Sequence, residues 1–399
     1  MSSPTATSRS TADARLGANG VEVSVVLPCL DEESTVGAVV AEAFAGLDAA
    51  GVAGEVIVVD NGSSDRSSAL AAAAGARVVV EPRRGYGSAY LAGLDAARGA
   101  TIVLADADGT YPLDDLSRLL DRVRDGADVV LGSRFNDGME QGAMPFLNRW
   151  VGNPLLTGTL NLLFGARVSD AHCGLRAVRR SALTELDLQT TGMEFASEMV
   201  FKAAKRGLRI DEVPIAYRIR GGRSKLSPFR DAWRHVRLML VYSPTFLFVL
   251  PGGLLFLLGL ATMLALAGGP AEIFGRRWEI HAVIVGAIAT LVGAQIVQLG
   301  VFARTYAVLF LRERDRLWDA LAGRLSLERG LLAGGAILLT GTAILAVVVG
   351  RWVANDFGEL HAEHLAVVAL TLIGLGTQTI FSAFFLSILA LGRRSTPTR

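Results

Sequence analysis

The pattern of apolar and polar positions changes character near Tyr242. Up to about Arg237, short β-branched runs alternate with Ala-rich stretches; beyond Tyr242, long apolar stretches are broken by short charged loops. In the first part, residues 23–27, 55–59, 77–80, 101–105 and 128–131 read as buried strands, and 33–50, 66–74, 87–97 and 113–124 as the helices between them. This alternation predicts an α/β domain with a doubly wound, mostly parallel sheet. Ligands of such sheets bind at the carboxyl ends of the strands.

In the second part, residues 244–268, 282–303, 331–350 and 365–391 carry no Lys, Arg, Asp or Glu. A bilayer core takes about 20 apolar residues in a helix, so each segment is long enough to span. A soluble helical bundle seldom runs this far without a charge. Just ahead, Phe229, Trp233, Val236 and Leu240 recur at helical spacing with Arg230, Arg234 and Arg237 between them. This predicts an amphipathic helix lying in the membrane interface. The expected organisation is a disordered tail over 1–20, a catalytic domain over 21–227, the interfacial helix over 228–243 and an α-helical membrane domain of four spans over 244–399.

Charge sets the expected orientation. Arg304, Arg312, Arg314, Arg316, Arg324 and Arg329 fall between the second and third spans, and Arg393, Arg394 and Arg399 follow the fourth. The other two loops hold only Arg276, Arg277 and Arg351. The positive-inside rule then places both termini and the catalytic domain in the cytosol, on an integral, multi-pass protein of the plasma membrane. The first twenty residues have no apolar core and do not read as a secretory signal.

Overall charge excludes one class of partner. With 39 Lys and Arg against 38 Asp and Glu, the chain has no basic field for nucleic acid. Cys29 and Cys173, the two cysteines, suit small buried positions rather than a disulfide framework or zinc site. His172 beside Cys173 is too small a group for a metal.

Three strand ends carry polar clusters: Pro28-Cys29-Leu30-Asp31-Glu32-Glu33, Asp60-Asn61-Gly62-Ser63-Ser64-Asp65, and Asp106-Ala107-Asp108-Gly109. One such cluster would serve helix capping; three on one sheet edge exceed that need. In extended chain Asp106 and Asp108 point the same way. Two carboxylates facing one spot repel unless a cation lies between them, and a hard divalent ion that also takes phosphate oxygens fits. No Gly-x-Gly-x-x-Gly follows the first strand and no phosphate-loop Gly-Lys-Ser/Thr occurs.

These clusters, in this order and spacing, resemble the family 2 glycosyltransferases of GT-A fold, and among them the dolichol-phosphate mannose and glucose synthases. The resemblance runs from about Val23 to Ser243. Asp31 and Asn61 stand where the family more often has Asn and Asp. The resemblance implies that Pro28, Leu30 and Glu32 border the nucleotide, that Asp60 lies near its base or ribose, and that Asp106 and Asp108 hold Mg²⁺ or Mn²⁺ with the diphosphate. Arg134, in Gly132-Ser133-Arg134, would face the acceptor phosphate, with Arg149 as its second ligand and Asn153 where the family often has Ser. Thr110 stands where many members have Gln. Lys225 matches the lysine of a basic loop over the donor diphosphate, and Arg218 and Arg220 both fit its paired arginine. The block from Asp170 to Arg176 matches Asp-x-x-x-Gly-x-Arg, and Glu198 falls where it either bridges an active-site arginine or supports structure.

The implied activity is inverting, metal-dependent transfer of a hexose from a nucleotide-sugar, GDP-mannose favoured over UDP-glucose, onto a polyprenyl or dolichyl phosphate at the cytosolic membrane face. A phosphate acceptor needs no general base, because its second pKa is about 6. It needs fixed cations that let two anions meet, and arginine forks suit that work. Two other readings stand beside it. A processive or hydroxyl-directed polysaccharide transferase usually carries Gln-x-x-Arg-Trp, whereas here Phe146 precedes Arg149-Trp150. A non-enzymatic lipid-handling protein would not need Asp106, Asp108, Arg134 and Lys225 intact.

Overall fold

The computed structural model describes residues 20–135, 138–221, 228–273, 275–310, 326–358 and 362–391. The expected tail before Gly20, Arg223 and Lys225, and the arginines of 311–325 and 392–399 lie outside them. The chain divides between Met239 and Leu240 into two compact units.

The first unit holds β1 (Val23–Cys29), α1 (Val36–Ala49), β2 (Gly54–Asp60), α2 (Ser67–Ala73), β3 (Arg77–Val80), α3 (Tyr86–Ala96), β4 (Thr101–Leu104), α4 (Ser117–Arg124), β5 (Val129–Ser133), α5 (Asn153–Phe164), β6 (Arg176–Arg179), α6 (Arg180–Leu186), α7 (Phe195–Arg206), β7 (Ile210–Pro214) and α8 (Pro228–Val241). The seven strands form one sheet in the order β3-β2-β1-β4-β6-β5-β7. β6 runs antiparallel to both its neighbours; the other pairings are parallel. This is the doubly wound arrangement of GT-A type that the resemblance implies.

Apolar periodicity made these elements. In α1, Val36, Val39, Val40, Ala43 and Leu47 repeat on one stripe and are all buried. β1 and β5 are covered on both faces, so their runs are apolar rather than alternating. β6 and β7 have no such signal. β6 is the four residues Arg-Ala-Val-Arg, and it is buried because Arg176 finds three carbonyl acceptors, those of Cys173, Ala196 and Ala171.

The second unit contains α9 (Leu250–Leu266), a small hairpin of β8 (Ala271–Ile273) and β9 (Arg276–Trp278), α10 (Ile280–Phe310), α11 (Leu327–Ala354) and α12 (Glu363–Leu391). A π-helical turn over Thr245–Val249 leads into α9. Among the described residues four helices are long and apolar enough to cross a membrane, with mean hydropathies of 2.2, 2.1, 2.3 and 1.8. Neighbouring helices meet at glycines: a Cβ on Gly286 would lie 3.0 Å from the Gly259 carbonyl oxygen, and one on Gly376 would lie 2.7 Å from that of Gly334. Small residues at such contacts let helix backbones approach where lipid gives no hydrophobic drive. Arg304 is not a loop residue as expected. The helix continues past the apolar stretch, so Arg304 sits in the last turns of α10.

Candidate active site

β1 lies beside β4 with Val26 opposite Leu104. From β1 the chain winds to β2 and β3 on one side, while β4 begins the other side. At this switch point adjacent strand ends splay apart and leave a crevice. A cavity of about 350 Å³ opens there, within the range of small-molecule sites. Pro28, Leu30 and Glu32 reach it from the end of β1, Asp106 and Asp108 from the turn after β4, and Arg134 from the residue after β5.

Asp106 stands at the end of β4 beneath two tyrosines. Its Oδ1 accepts from the phenols of Tyr86 at 3.0 Å and Tyr90 at 3.4 Å. Burial, and then the charge of Asp108 beside it, push the Asp106 carboxyl up to about 7. Gly174 makes room for it, since a Cβ there would stand 2.7 Å from Asp106 Oδ2 and 3.0 Å from the Tyr111 ring. Tyr111 in turn accepts from the Gly174 amide at 2.8 Å. Asp108 accepts from the amide and hydroxyl of Thr110, 3.1 and 2.6 Å away.

Two carboxyls at one strand end, with the charge of Asp108 opposing that of Asp106, suit a divalent cation. Among the described residues no three His, Cys, Asp or Glu side chains converge. The protein's share of a cation's shell would therefore be this pair, the other positions going to water or phosphate oxygens.

The sequence leaves Arg218 and Arg220 as equals; their positions differ. Arg220 lines the cavity, with Nη2 2.7 Å from Glu32 Oε1 and Nη1 3.3 Å from Asp108 Oδ2. Its Nε is buried with no partner. Arg218 is outside the lining and pairs with Glu42 at 2.6 Å. Two backbone bonds, Arg218 N to Thr110 O and Gly221 N to Asp108 O, lay this segment along the carboxylate turn.

Other members of the first two polar clusters tie the two turns to each other. The Asp31 amide donates to Ser63 Oγ, and Asp31 Oδ1 accepts from the Ser64 amide. The Glu32 amide donates to Ser67 Oγ and the Glu33 amide to Asp65 Oδ2. Asp31 has φ of +49°, a left-handed conformation that Asn and Asp tolerate better than most residues. Asp60 does not line the cavity. It accepts from Ser63 N at 2.8 Å and from Ser68 Oγ. Burial opposes its charge, but the Ser68 and Ser63 bonds outweigh that and hold its carboxyl below the usual range. Asn61 lines the cavity instead, and clasps the following loop through the carbonyls of Glu81 and Arg83 and the Gly85 amide.

Arg134 is buried and forked onto Asp170, Nε to Oδ2 at 2.7 Å and Nη2 to Oδ1 at 2.8 Å. Burial alone would lower its pKa; the Asp170 charge more than offsets this and raises it well above the ordinary value. Its guanidinium also stands 5.3 Å from the Tyr217 ring centre. Arg149 lies outside the cavity lining, on a π-helical turn over Asn148–Gly152, 5.3 Å from the Trp150 ring centre. Asn153, at the start of α5, contacts Met144 Sδ at 3.3 Å and is also outside the lining. Among the described residues Glu198 bridges no active-site arginine: it pairs with Lys202 at 2.7 Å and accepts from the Gln189 and Thr190 amides.

Several residues escaped the sequence reading. Tyr86 and Tyr90 are spaced i, i+4 on one helix face, a visible signal. Asp170 as partner of Arg134 had none, being 36 residues away. His172 also lines the cavity: its Nε2 lies 3.0 Å from Ser197 Oγ, which lies 2.7 Å from His235 Nδ1 of α8. Both cysteines are buried, their thiols pushed up by burial to about 11 at Cys29 and about 12 at Cys173.

Residues 24–187 match the family described as glycosyl transferase family 2, and residues 301–390 the glycosyltransferase family 2 C-terminal transmembrane region. The chain is 41% identical over 369 residues to the low-salt glycan biosynthesis hexosyltransferase Agl6 of Haloferax volcanii, covering 92% of this chain and 89% of that one. It is 39% identical to a dolichyl-phosphate hexose transferase of the same organism, over 52% of this chain and 88% of the relative. It is 37% identical to the polyprenol monophosphomannose synthase of Mycolicibacterium smegmatis, over 43% of this chain and 70% of the relative.

Proposed function

The chain belongs to glycosyl transferase family 2, and from that premise we propose that it moves a hexose from a nucleotide-sugar onto a polyprenyl phosphate, inverting the anomeric carbon. The observation that carries this reading is one cavity lined by the Asp106–Asp108 pair together with Arg134 and Arg220. Similarity to proteins named as dolichyl-phosphate and polyprenol-phosphate transferases favours the lipid phosphate as acceptor. The positive-inside distribution favours a cytosolic catalytic unit on an integral membrane protein.

In this reading a phosphate oxygen of the acceptor attacks the anomeric carbon as its bond to the donor diphosphate breaks, and the nucleoside diphosphate leaves with the bonding pair. No base is required, because the acceptor is already largely dianionic at neutral pH. Asp106 and Asp108 would hold Mg²⁺ or Mn²⁺, which when bound neutralises charge on the leaving diphosphate. Arg220 would swing its unpartnered Nε–H onto a diphosphate oxygen, with Lys225 assigned to the same group by resemblance. Pro28, Leu30 and Glu32 would border the nucleotide, and Asp60 would act from behind it by fixing the turn that carries Asn61. Arg134 would face the acceptor phosphate. Arg149 and Asn153, assigned to that phosphate by resemblance, stand outside the cavity lining, so the acceptor role rests more on Arg134. GDP-mannose is favoured over UDP-glucose on resemblance alone.

The test is incubation of purified protein with labelled GDP-mannose or UDP-glucose and polyprenyl phosphate, followed by lipid extraction. Labelled lipid is expected in the wild type, and none after Asp108→Ala or in excess chelator. Labelling of a sugar hydroxyl with no labelled polyprenyl phosphate would sink the reading.

A further inference from the structure

We propose that Arg230 and Arg234 of α8 receive the phosphate of the lipid acceptor, an inference that rests on the reading above. Both residues line the cavity, one helical turn apart. Phe229 and Trp233 precede them by one residue each and are 85% and 61% exposed. One step along a helix turns about 100°. α8 thus carries two adjacent stripes, an outward aromatic one and a cationic one on the cavity. Its last residue, Val241, is separated from the first membrane span, which begins at Thr245, by three residues. An amphiphile with an apolar tail and a phosphate head matches both stripes at once.

The cation balance of the cavity points the same way. Arg134 shares its charge with Asp170 and Arg220 with Glu32 and Asp108, so a dianionic head group that Arg134 faces calls for further cations beside it. Arg84 bonds the Gly62 carbonyl, in the turn that follows β2. Arg234 has one loose pair, 3.7 Å from Asp231 Oδ1, and Arg230 makes no ion pair among the described residues. Asp231 also lines the cavity and is the anion of this wall; it draws Arg234 toward itself, which makes Arg230 the primary ligand and Arg234 the second. Among the described residues only Asp231 pairs with these two arginines, so a dianion arriving here meets net positive charge.

The wall is held in register. His235, next to Arg234, is buried and bonds Ser197, which also bonds His172 of the cavity lining. Met239, one turn on, is fully buried. The arginines therefore stand at a fixed place relative to the block that carries Asp170, rather than on a free surface helix.

The experiment uses the full-length protein in detergent, with polyprenyl phosphate as acceptor. The Arg230→Gln, Arg234→Gln double variant is expected to raise the acceptor KM at least about tenfold, while nucleoside diphosphate affinity, measured by calorimetry, stays within about twofold. Arg230→Lys, which keeps the charge, is expected to stay within about threefold of wild type. Inorganic phosphate, lacking the tail, is expected to compete weakly in the wild type. An unchanged acceptor KM in the double variant overturns the proposal, as does a parallel loss of nucleotide affinity, or inorganic phosphate competing as well as the lipid. A wild type that labels no polyprenyl phosphate overturns the functional reading itself, a result distinct from any of these.

Discussion

Arg134 and Asp170 form a two-point fork, 2.7 and 2.8 Å long, with the Asp170 side chain wholly buried and that of Arg134 only 8% exposed. Asp170 also takes the Arg134 and His172 amides. The pair joins the end of β5 to the loop before β6, and so fixes the guanidinium that faces the cavity. Removing one member of a buried pair leaves the other's charge uncompensated, which costs about 3–5 kcal/mol. Asp170→Ala is therefore expected to lower the thermal midpoint of the detergent-solubilised protein by several degrees and to abolish transfer. A midpoint equal to wild type in differential scanning fluorimetry would contradict the buried fork.

Gly174 sets how close the carboxylate turn and the Asp170 block approach. Gly174→Ala would put a methyl carbon 2.7 Å from Asp106 Oδ2, too near for either to stay in place. The expected outcome is a loss of Mn²⁺ affinity of at least about tenfold by electron paramagnetic resonance, in line with the first-turn sensitivity of metal ligands to their supports. Unaltered Mn²⁺ binding would mean that Asp106 is not a ligand, or that it moves freely.

Arg220 and Arg218 should separate cleanly. Arg220→Ala removes the cavity cation that touches Glu32 and Asp108, and is expected to cut kcat/KM by about a hundredfold, the loss of a charge-stabilising donor. Arg218→Ala removes a pair with Glu42 whose side chains are 36% and 26% exposed. That is expected to cost no more than about 1 kcal/mol of stability and to leave kcat/KM within about threefold. Steady-state kinetics in which the two variants behave alike would refute the assignment.

Acid should loosen α8. Burial lowers the His235 pKa from 6.5 to about 4, with Asp231 opposing and Arg176 assisting, and burial, then the neighbouring His235, Arg134 and Arg176, lower His172 as well. The docked state therefore holds both rings neutral. Its full stability is present above pH 6.5; below that an undocked His235 takes up a proton that the docked one refuses, so stability falls as pH drops towards about 4. For His235 the loss amounts to roughly 3 kcal/mol. Hydrogen exchange of α8 amides, corrected for intrinsic rates, is expected to speed up over this interval, and His235→Asn to flatten the dependence. Equal protection at pH 7 and 4.5 would rule the coupling out.

Much of the architecture was legible because it is written in local periodicity. The strands at 23, 55, 77, 101 and 128, the helices between them and the four spans all appear within a few residues of expectation. Asp106 and Asp108 were legible for the same reason: two residues apart at a strand end, they needed only the strand to be placed. β6 was not, because Arg-Ala-Val-Arg shows no apolar face and becomes buried only through carbonyls supplied from residues 171, 173 and 196.

The sequence by itself determined that the chain is an α/β domain followed by four membrane helices, and that acidic turns sit at the ends of its strands, since each depends on neighbours along the chain. Only the tertiary structure decided which of those polar groups face the cavity. It turned Asp31, Glu33, Asp60 and Asp65 to stitching turns together, put Arg220 but not Arg218 in the cavity lining, gave Arg134 its distant partner, and brought α8 to the cavity wall. Charge is neutralised through space, by whichever carboxylate or carbonyl the fold brings within about 3 Å, and linear spacing carries no record of that.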